Sequence, residues 1–193
     1  MDFKIVFSDI DGTILNSEHR MLKGTLDAIF ALKKANIPFV IATARGPSGV
    51  RPIFKRYGFT CPMICYSGAL IIDENDKIMY SEGFDADDAR DIISYIEAEK
   101  IDCTWNIYSE ELWIVNDRND RLVRAEEEIV EVCATEGGIE LLPEDAIIGK
   151  LLCICEPEAI CGIENELKKE FSCVIGSNDD ESISEAFRSI GLL

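Results

Sequence analysis

The sequence predicts an α/β protein built on a doubly wound parallel sheet, and the order of its apolar segments is the main reason. In the first third of the chain, strand-like and helix-like segments alternate as strand, helix, strand, helix and strand. This alternation is typical of βαβ units, in which helices cover the faces of a parallel sheet. Hydrophobic residues make up 47% of the 193 positions, so the chain has enough apolar side chains to bury a core.

The elements of this first module follow from local patterns. Short runs of apolar and β-branched residues predict strands, and apolar residues that recur every three or four positions predict helices. Pro47 suits the first turn of a helix, Gly58 can end that helix, and Asn36 can cap the helix before it. The predicted elements are a strand at 3–8, a helix at 21–35, a strand at 37–43, a helix at 47–57, a strand at 63–66 and a hairpin formed by 69–73 and 77–81.

The pattern changes near residue 82, and we place a module boundary between 1–82 and 83–193. Beyond the boundary, strands follow one another directly, which favours a partly antiparallel α+β layer. The predicted elements are a helix at 87–99, strands at 103–107 and 112–115, a helix at 120–135, strands at 139–142 and 150–155, a helix at 157–170 and a strand at 172–175. Trp105, Tyr108 and Trp113 fall on strand positions, where we expect aromatic side chains to pack in the core rather than line a pocket.

Charge and composition exclude several functions. Asp and Glu number 37 against 19 Lys and Arg, and the formal net charge of −18 disfavours nucleic acid and anionic membranes as partners. The single histidine, His19, excludes metal sites built from several histidines. The eight cysteines contain no C-x-x-C pair, and no apolar run approaches the length of a membrane span. We therefore expect a reduced, cytoplasmic protein.

An acidic turn, Asp-Ile-Asp-Gly-Thr, directly follows the first predicted strand and carries the strongest chemical signal. Asp9 and Asp11 lie at the carboxyl end of that strand, where α/β proteins bind ligands. Two carboxylates this close share a proton or hold a cation, and Mg²⁺ suits oxygen ligands while leaving room for a phosphate. Asp9 could then attack phosphorus while Asp11 transfers the proton. Taken alone, these residues are also compatible with an ordinary acidic turn between a strand and a helix.

The second predicted strand ends in a hydroxyl group and a basic side chain. Thr43 closes this strand, Arg45 follows it, and a helix begins at Pro47. A hydroxyl and the N–H groups of a helix N-terminus can together hold a phosphate. Because the carboxyl ends of neighbouring parallel strands meet, we expect these donors beside the carboxylate pair. On their own, Thr43 and Arg45 are also compatible with an ordinary strand threonine and a solvated arginine.

Three segments together, DIDGT, IATARGPSGV and MICYSGALIID, resemble the haloacid dehalogenase (HAD) superfamily of phosphohydrolases. More narrowly, they resemble its Cof-type sugar-phosphate phosphatases. The resemblance implies a HAD-like, Rossmann-like core with an inserted α/β cap domain. Residues 1–82 would be the N-terminal part of the core, and residues 83–193 would be the cap. The resemblance further implies that Asp9 is the nucleophile and Asp11 the general acid and base, with both residues at the Mg²⁺ ion.

The same resemblance implies four substrate-binding positions. It assigns the phosphate-binding hydroxyl to Thr43, and it places Ala44, Arg45 and Ser67 near the substrate. Two of these residues depart from the family pattern, which usually has Gly in place of Ala44 and Asn in place of Ser67. Both departures are mild.

Two further motifs of the family are not found. The third is a lysine that opens a helix, whereas Lys150 begins a predicted strand. We therefore favour a surface lysine of the cap, and a replacement for the phosphate-binding lysine stays open as the alternative. The fourth is an acidic turn that completes the Mg²⁺ site. The segment around Asp179–Glu181 has a similar composition, but Ser177 stands where the leading Asp belongs. We therefore favour a solvated acidic loop, and a replacement for the fourth motif stays open as the alternative.

The return of the chain to the core sheet is also missing from the pattern. We therefore expect weak Mg²⁺ binding and poor hydrolysis. A three-stranded sheet of this kind would expose an apolar edge, which favours association into homo-oligomers or with another chain.

The sequence thus predicts a Mg²⁺-dependent phosphohydrolase that removes phosphate from small phosphorylated metabolites, such as sugar phosphates, through an aspartyl-phosphate intermediate. Two alternatives stay open. A phosphomutase would use the same nucleophile but return the phosphoryl group to the sugar. A catalytically incomplete HAD-like binding protein would account for the missing third and fourth motifs.

Overall fold

The N-terminal part of the chain forms a five-stranded sheet in a computed structural model, which describes residues 3–171. The elements of this part are β1 (Val6–Ser8), α1 (Lys23–Lys34), β2 (Phe39–Ala42), α2 (Pro47–Tyr57), β3 (Met63–Cys65), β4 (Leu70–Ile72) and β5 (Ile78–Ser81). Strands β1, β2 and β3 are parallel neighbours, and β4 and β5 extend the sheet as antiparallel strands. The predicted α/β class is confirmed. The sheet has five strands rather than three because the hairpin joins it.

Local sequence signals set the ends of the first two helices. Helix α2 begins at Pro47 and ends before Gly58, whose φ of +70° is a left-handed conformation that glycine adopts without strain. Helix α1 is shorter than predicted and ends at Lys34, and Asn36 follows it with a φ of +54°. Asparagine tolerates this conformation better than most residues, so it stops the helix as the sequence suggested.

The core of this part lies where the parallel strands pack against α2. Five side chains with almost no exposure come from β2, from β3, from the turn after β1 and from this helix. They are Ile10, Ile41, Val50, Met63 and Cys65. Ile10 lies just after β1 and its side chain is buried in this core. Its burial therefore fixes the position of the acidic turn that contains it.

Strand β1 lies at the edge of the sheet within residues 3–171. Three apolar side chains in and before it, Phe3, Ile5 and Phe7, are 63%, 44% and 56% exposed. Within the described residues, this edge strand therefore presents apolar side chains to solvent. Association with another chain through this edge stays a prediction.

A second sheet of four strands follows. The elements of this part are α3 (Ala86–Ala98), β6 (Thr104–Ser109), β7 (Leu112–Val115), α4 (Arg121–Val130), β8 (Thr135–Glu136) and β9 (Lys150–Ile154). The strand order is β8-β7-β6-β9, with β6 antiparallel to both of its neighbours and β8 parallel to β7. This is the partly antiparallel layer that the sequence predicts.

Both sheets belong to one compact unit, formed by the residues up to Glu99 together with Thr104–Ile154. Of the described residues, the second unit comprises 100–103 and 155–171. The sequence-based boundary near residue 82 separates the two sheets within the first unit, and its status as a domain boundary stays a prediction.

The predicted end of the helix at residue 135 is wrong, because α4 ends at Val130. Glu131 adopts a left-handed φ of +58°, which stops the helix. The buried Glu127 carboxylate then accepts a hydrogen bond from the backbone N–H of Ala134 at 2.7 Å. This contact turns the chain back over the helix, so a tertiary interaction overrides the helical periodicity of the sequence.

The strand predicted at 139–142 is also wrong. These residues form a short 3₁₀ helix, Ile139–Leu141, and the strand lies earlier, at β8. The strand forms at 135–136 because these residues pair with β7, which lies some twenty positions earlier in the sequence: Thr135 lies opposite Ile114 in parallel register. The Gly137 N–H extends this pairing by donating to the Val115 carbonyl at 3.0 Å.

The second unit contains α5 (Ile160–Glu170), which a short 3₁₀ helix at Pro157–Ala159 precedes. The helix predicted at 157–170 is confirmed over most of its length. The strand predicted at 172–175 lies outside the described residues. Between residues 3 and 171, no helix has both the length and the apolar character that a membrane crossing requires.

Tyr66 links the ends of the two sheets. Its hydroxyl donates a hydrogen bond of 2.6 Å to the carbonyl of Glu110, in the turn between β6 and β7. Its ring lies against Gly46, which precedes α2, and against Gly149, which precedes β9. A Cβ atom at Gly149 would come within 2.6 Å of the ring atom Cδ2. Both positions therefore require glycine because the ring approaches the backbone closely.

We expect Gly149→Ala to lower the free energy of unfolding by about 1–3 kcal/mol, since the buried Tyr66 ring would have to move to accommodate the new methyl group. Urea unfolding followed by circular dichroism measures the change. Gly24→Ala is the matched control, because no atom lies within 4 Å of its Cβ position in α1. That control should be neutral or stabilising by up to about 1 kcal/mol. Equal stability of Gly149→Ala and the wild type would contradict the assignment of Tyr66 as the link.

Candidate active site

A single carbonyl group holds the acidic turn that follows β1. The Ile10 oxygen accepts hydrogen bonds from the three successive N–H groups of residues 13–15, at 2.9 to 3.3 Å. Gly12 allows this tight turn with a φ of +71°. Because Ile10 is fully buried, the flanking residues Asp9 and Asp11 are left on the exposed side of the turn.

The Asp9 carboxylate is available for chemistry. It lines a cavity of about 360 Å³, which is large enough for a small metabolite. Within the described part of the chain it has neither a hydrogen-bond nor an ion-pair partner. A carboxylate without partners at the end of a parallel strand is free to act as a nucleophile or as a metal ligand.

Backbone contacts fix Thr43 beside Asp9 in the same cavity. The N–H of Thr43 donates to the Ile64 carbonyl at 2.9 Å, and its carbonyl accepts from the Ser67 N–H at 3.0 Å. The Thr43 hydroxyl accepts a hydrogen bond from the Arg45 N–H at 3.2 Å. Its own proton therefore remains for an acceptor in the cavity.

The N-terminus of α2 lines the cavity next to Thr43. Gly46, Ser48 and Gly49 belong to this lining, and no side chain among residues 3–171 caps the helix. Pro47 has no N–H and the Gly49 N–H donates to the Gly46 carbonyl at 3.0 Å, so Ser48 supplies the available N–H of the first helical residues. Uncapped N–H groups at a helix N-terminus carry partial positive charge and bind anions. The site therefore combines a hydroxyl donor and backbone donors beside a free carboxylate.

Arg45 binds Asp11 rather than standing free. Its Nε and Nη2 atoms donate to the two Asp11 oxygens at 2.8 and 2.7 Å, and its Nη1 donates to the Gly49 carbonyl at 3.4 Å. The Arg45 side chain is only 9% exposed, so this pair is well ordered. His19 completes the group, with its Nδ1 at 4.0 Å from an Asp11 oxygen. A bidentate pair of this geometry fixes the orientation of the Asp11 carboxylate.

Side chains of the second sheet form another wall of the cavity. Tyr108 of β6 and Trp113 of β7 stack with their ring centres 5.6 Å apart, and Lys150 of β9 places its Nζ 5.1 Å from the Tyr108 ring centre. Burial lowers the pKa of Lys150 and the charge of Glu126 partly opposes this effect. All four residues line the cavity.

These contacts correct two expectations. The strand position of Lys150 is confirmed, but its interpretation as a surface lysine is wrong, because its side chain is part-buried and lines the cavity. Tyr108 and Trp113 likewise line the cavity instead of packing only in the core. Trp105 does pack as expected, with its Nε1 donating to Glu97 at 3.2 Å. The missed signal is cross-strand register, which local sequence does not display.

A buried amide supports the aromatic wall. Asn106 has no exposed surface, and its Oδ1 accepts a hydrogen bond from Nε1 of Trp113 at 2.8 Å. Its Nδ2 donates to the carbonyls of Thr104 at 2.8 Å and Leu152 at 3.3 Å. The sequence holds a signal for this residue, an amide between Trp105 and Ile107 in the strand TWNIYS, which the prediction of site residues did not use.

The structure brings most of the predicted site residues together. One cavity is lined by Asp9, Asp11, Thr43, Ala44 and Arg45. Ser67 lies apart from this lining: its side chain is exposed, its φ is +55°, and its backbone N–H bonds Thr43. Its contact with substrate stays a prediction. The predicted cluster at Asp179–Glu181 lies outside the described residues.

The donors at the acidic turn fit a Mg²⁺ ion that keeps several water ligands. Residues 3–171 contain no group of three or more His, Cys, Asp or Glu side chains arranged to hold a metal. Asp9 offers one carboxylate without a partner, whereas Arg45 occupies both oxygens of Asp11. Mg²⁺ usually binds one or two carboxylates and completes its shell with water and phosphate oxygens. One free carboxylate and nearby backbone oxygens are thus compatible with this ion.

Known structures share this fold. A haloacid dehalogenase-like hydrolase from Bacteroides thetaiotaomicron superposes with a TM-score of 0.75 at 18% identity, covering 99% of this chain and 78% of that one. The HAD subclass IIB sugar phosphatase BT4131 superposes with a TM-score of 0.67 at 18% identity, covering 98% of this chain and 77% of that one. At these identities the likeness concerns the fold.

The likeness in sequence identifies the family as well as the fold. A protein of Haemophilus influenzae described as a putative phosphatase is 34% identical over 175 residues, which are 89% of this chain. The matched part spans 64% of the length of that relative. Residues 6–187 match the family described as haloacid dehalogenase-like hydrolase. Since this match runs through the acidic turn, the Thr43 strand and the second sheet, the chain belongs to the haloacid dehalogenase-like hydrolase family.

Proposed function

We propose that this protein is a Mg²⁺-dependent phosphatase that hydrolyses small phosphorylated metabolites, such as sugar phosphates, through an aspartyl-phosphate. One observation carries the proposal: the Asp9 carboxylate has no partner among residues 3–171 and shares a cavity with the Thr43 hydroxyl and the N-terminus of α2. The relatives support it, since one is described as a putative phosphatase and a structural neighbour as a sugar phosphatase.

The first half-reaction forms the covalent intermediate. The Thr43 hydroxyl and the N–H groups of α2 hold the phosphate oxygens, which orients phosphorus toward Asp9. An Asp9 oxygen attacks phosphorus, and the bond from phosphorus to the leaving oxygen breaks. Asp11 donates a proton to that oxygen, so the leaving group departs as an alcohol.

The second half-reaction releases phosphate. Asp11, now ionised, accepts a proton from a water molecule as the water oxygen attacks phosphorus. The bond between phosphorus and the Asp9 oxygen breaks, which restores the Asp9 carboxylate and frees inorganic phosphate. Few residues are needed because the chemistry consists mostly of positioning and charge neutralisation.

Arg45 positions Asp11 for the base step. Both Asp11 oxygens accept hydrogen bonds from Arg45, which is the bonding pattern of an ionised carboxylate. The acid step requires a proton on Asp11, and protonation removes the charge that strengthens both of these hydrogen bonds. Arg45 would therefore assist the reaction in two ways: it orients Asp11, and it makes the predicted contact with the substrate.

Asp9 would hold Mg²⁺ through its carboxylate, and Asp11 would contribute through its backbone because Arg45 occupies its side chain. When bound, the ion supplies positive charge that reduces the repulsion between Asp9 and the phosphate. We also propose that the second sheet acts as the cap. Its Tyr108, Trp113 and Lys150 line the cavity, where they would contact the leaving group and exclude water.

We expect Asp9→Asn to abolish Mg²⁺-dependent phosphate release from small phosphomonoesters, because the amide lacks the charge that attacks phosphorus. The far-UV circular dichroism should not change, since the carboxylate makes no described contact that the fold needs. The measurement is colorimetric phosphate release with Mg²⁺ and, separately, with EDTA. Mass spectrometry of acid-quenched wild type should find one phosphoryl group on the peptide that contains Asp9.

The matched control is Asp91→Asn on the exposed face of α3, which removes the same charge outside the cavity. It should retain wild-type activity. More than a few per cent of wild-type activity in Asp9→Asn would exclude Asp9 as the nucleophile. Wild-type protein that binds phosphomonoesters without releasing phosphate would favour the incomplete binding protein instead.

We expect Asp11→Asn to slow the hydrolysis of sugar phosphates by roughly 10²–10⁴-fold, because their alkoxide leaving groups need a proton. An activated aryl phosphate should be affected much less, since its phenolate leaves without help. The measurement compares kcat for glucose 6-phosphate and p-nitrophenyl phosphate in the same preparation. Equal losses on both substrates would show that Asp11 is a metal-binding or structural residue only.

A further inference from the structure

Register places Trp113, Tyr108 and Lys150 in one row across the second sheet. Tyr108 of β6 lies directly opposite Trp113 of β7 and directly opposite Lys150 of β9. Side chains of directly opposed residues lie on the same face of a sheet. The three side chains therefore form a continuous surface, and the cavity lining includes all three.

Lys150 is a cation without a hydrogen-bond acceptor in the described part of the chain. Its ammonium group carries three donors, and none has an acceptor within residues 3–171. Its described contact is with the Tyr108 ring, which attracts a cation but accepts no strong hydrogen bond. A part-buried ammonium group with unused donors gains from an anionic partner more than a solvated one does.

The surroundings of Lys150 differ from those of the phosphate donors. Asp9, Thr43 and the N-terminus of α2 belong to the first sheet, whereas Lys150 comes from β9 of the second sheet. Burial lowers the pKa of Lys150, and the charge of the Glu126 carboxylate acts in the opposite direction. The apolar side chains of Ile129, Val130 and Val132 complete this part of the lining, where a carbon skeleton would lie.

We propose that Lys150, held against Tyr108, binds an anionic group on the leaving-group half of the substrate. The preferred substrates are then phosphomonoesters whose alcohol carries a carboxylate or a second phosphate. This inference rests on the proposed function, because it concerns the leaving group of the same reaction. It adds a substrate class to that function and assigns Lys150 as a substrate-binding residue.

Glu126 sets a limit on the affinity for such an anion. Its carboxylate lines the same cavity, has no hydrogen-bond partner among the described residues, and repels a second negative charge near Lys150. Removing this charge in Glu126→Gln should therefore strengthen the binding of an anionic leaving group. The binding of a neutral one should change little.

The test compares two ligands of nearly the same size, 3-phosphoglycerate and glycerol 3-phosphate, which differ by a carboxylate in place of a hydroxymethyl group. Calorimetric titration in the Asp9→Asn background measures binding without turnover, and inorganic phosphate serves as a third ligand. We expect 3-phosphoglycerate to bind at least about 10-fold more tightly than glycerol 3-phosphate. Phosphate release by the wild type should show the same preference in kcat/KM.

Lys150→Met should reduce this preference by roughly 10–100-fold while leaving the affinity for inorganic phosphate unchanged. Lys150→Arg should retain most of the preference. Lys55→Met is the matched control, because it removes an exposed lysine of α2 that lies outside the cavity lining. Glu126→Gln should increase the preference. Circular dichroism confirms that each variant is folded.

Three results would overturn the inference while the proposed function stands. The first is equal affinity of the Asp9→Asn protein for the two esters, and the second is a preference that survives Lys150→Met. The third is a loss of affinity for inorganic phosphate in Lys150→Met as large as the loss for 3-phosphoglycerate, which would place Lys150 on the transferred phosphate. Failure of the wild type to bind inorganic phosphate or to release it from any ester would instead overturn the proposed function, and this inference with it.

Discussion

The position of the Tyr66 ring sets how closely the two sheets approach. The ring contacts Gly46 at the start of α2 and Gly149 at the start of β9, and its hydroxyl binds the Glu110 carbonyl. Burial raises the pKa of this hydroxyl, so it stays a hydrogen-bond donor at any physiological pH. Because Gly46 directly precedes the N-terminus of α2 and Gly149 directly precedes Lys150, one aromatic ring spaces the two walls of the cavity.

The charges in the cavity explain how a strongly acidic chain can accept an anionic substrate. Arg45 is paired with both oxygens of Asp11, so its charge is largely balanced within the protein. Asp9 repels phosphate until a cation joins it. Positive potential for the substrate therefore has to come from the uncapped N-terminus of α2, from a bound divalent ion and from Lys150.

The parts of the fold that depend on neighbouring residues could be predicted from sequence. Pro47 and Gly58 define α2, and the rule for parallel strands correctly places Asp9 beside Thr43. The parts that depend on distant partners could not. Helix α4 ends early because Glu131 adopts a left-handed φ and the chain folds back so that the Glu127 carboxylate binds the Ala134 N–H. Lys150 lies in the cavity because β9 pairs with β6. Local propensity contains no information about either contact.

His19 gives the site a spectroscopic consequence. It is the only histidine of the chain, and its ring lies 4.0 Å from an Asp11 oxygen at the edge of the cavity. An imidazole ring proton is sensitive to charge at this distance. The proton NMR spectrum therefore holds one imidazole Hε1 resonance that needs no assignment. That resonance reports directly on the charge at Asp11 as ions and ligands enter, without any label or added probe.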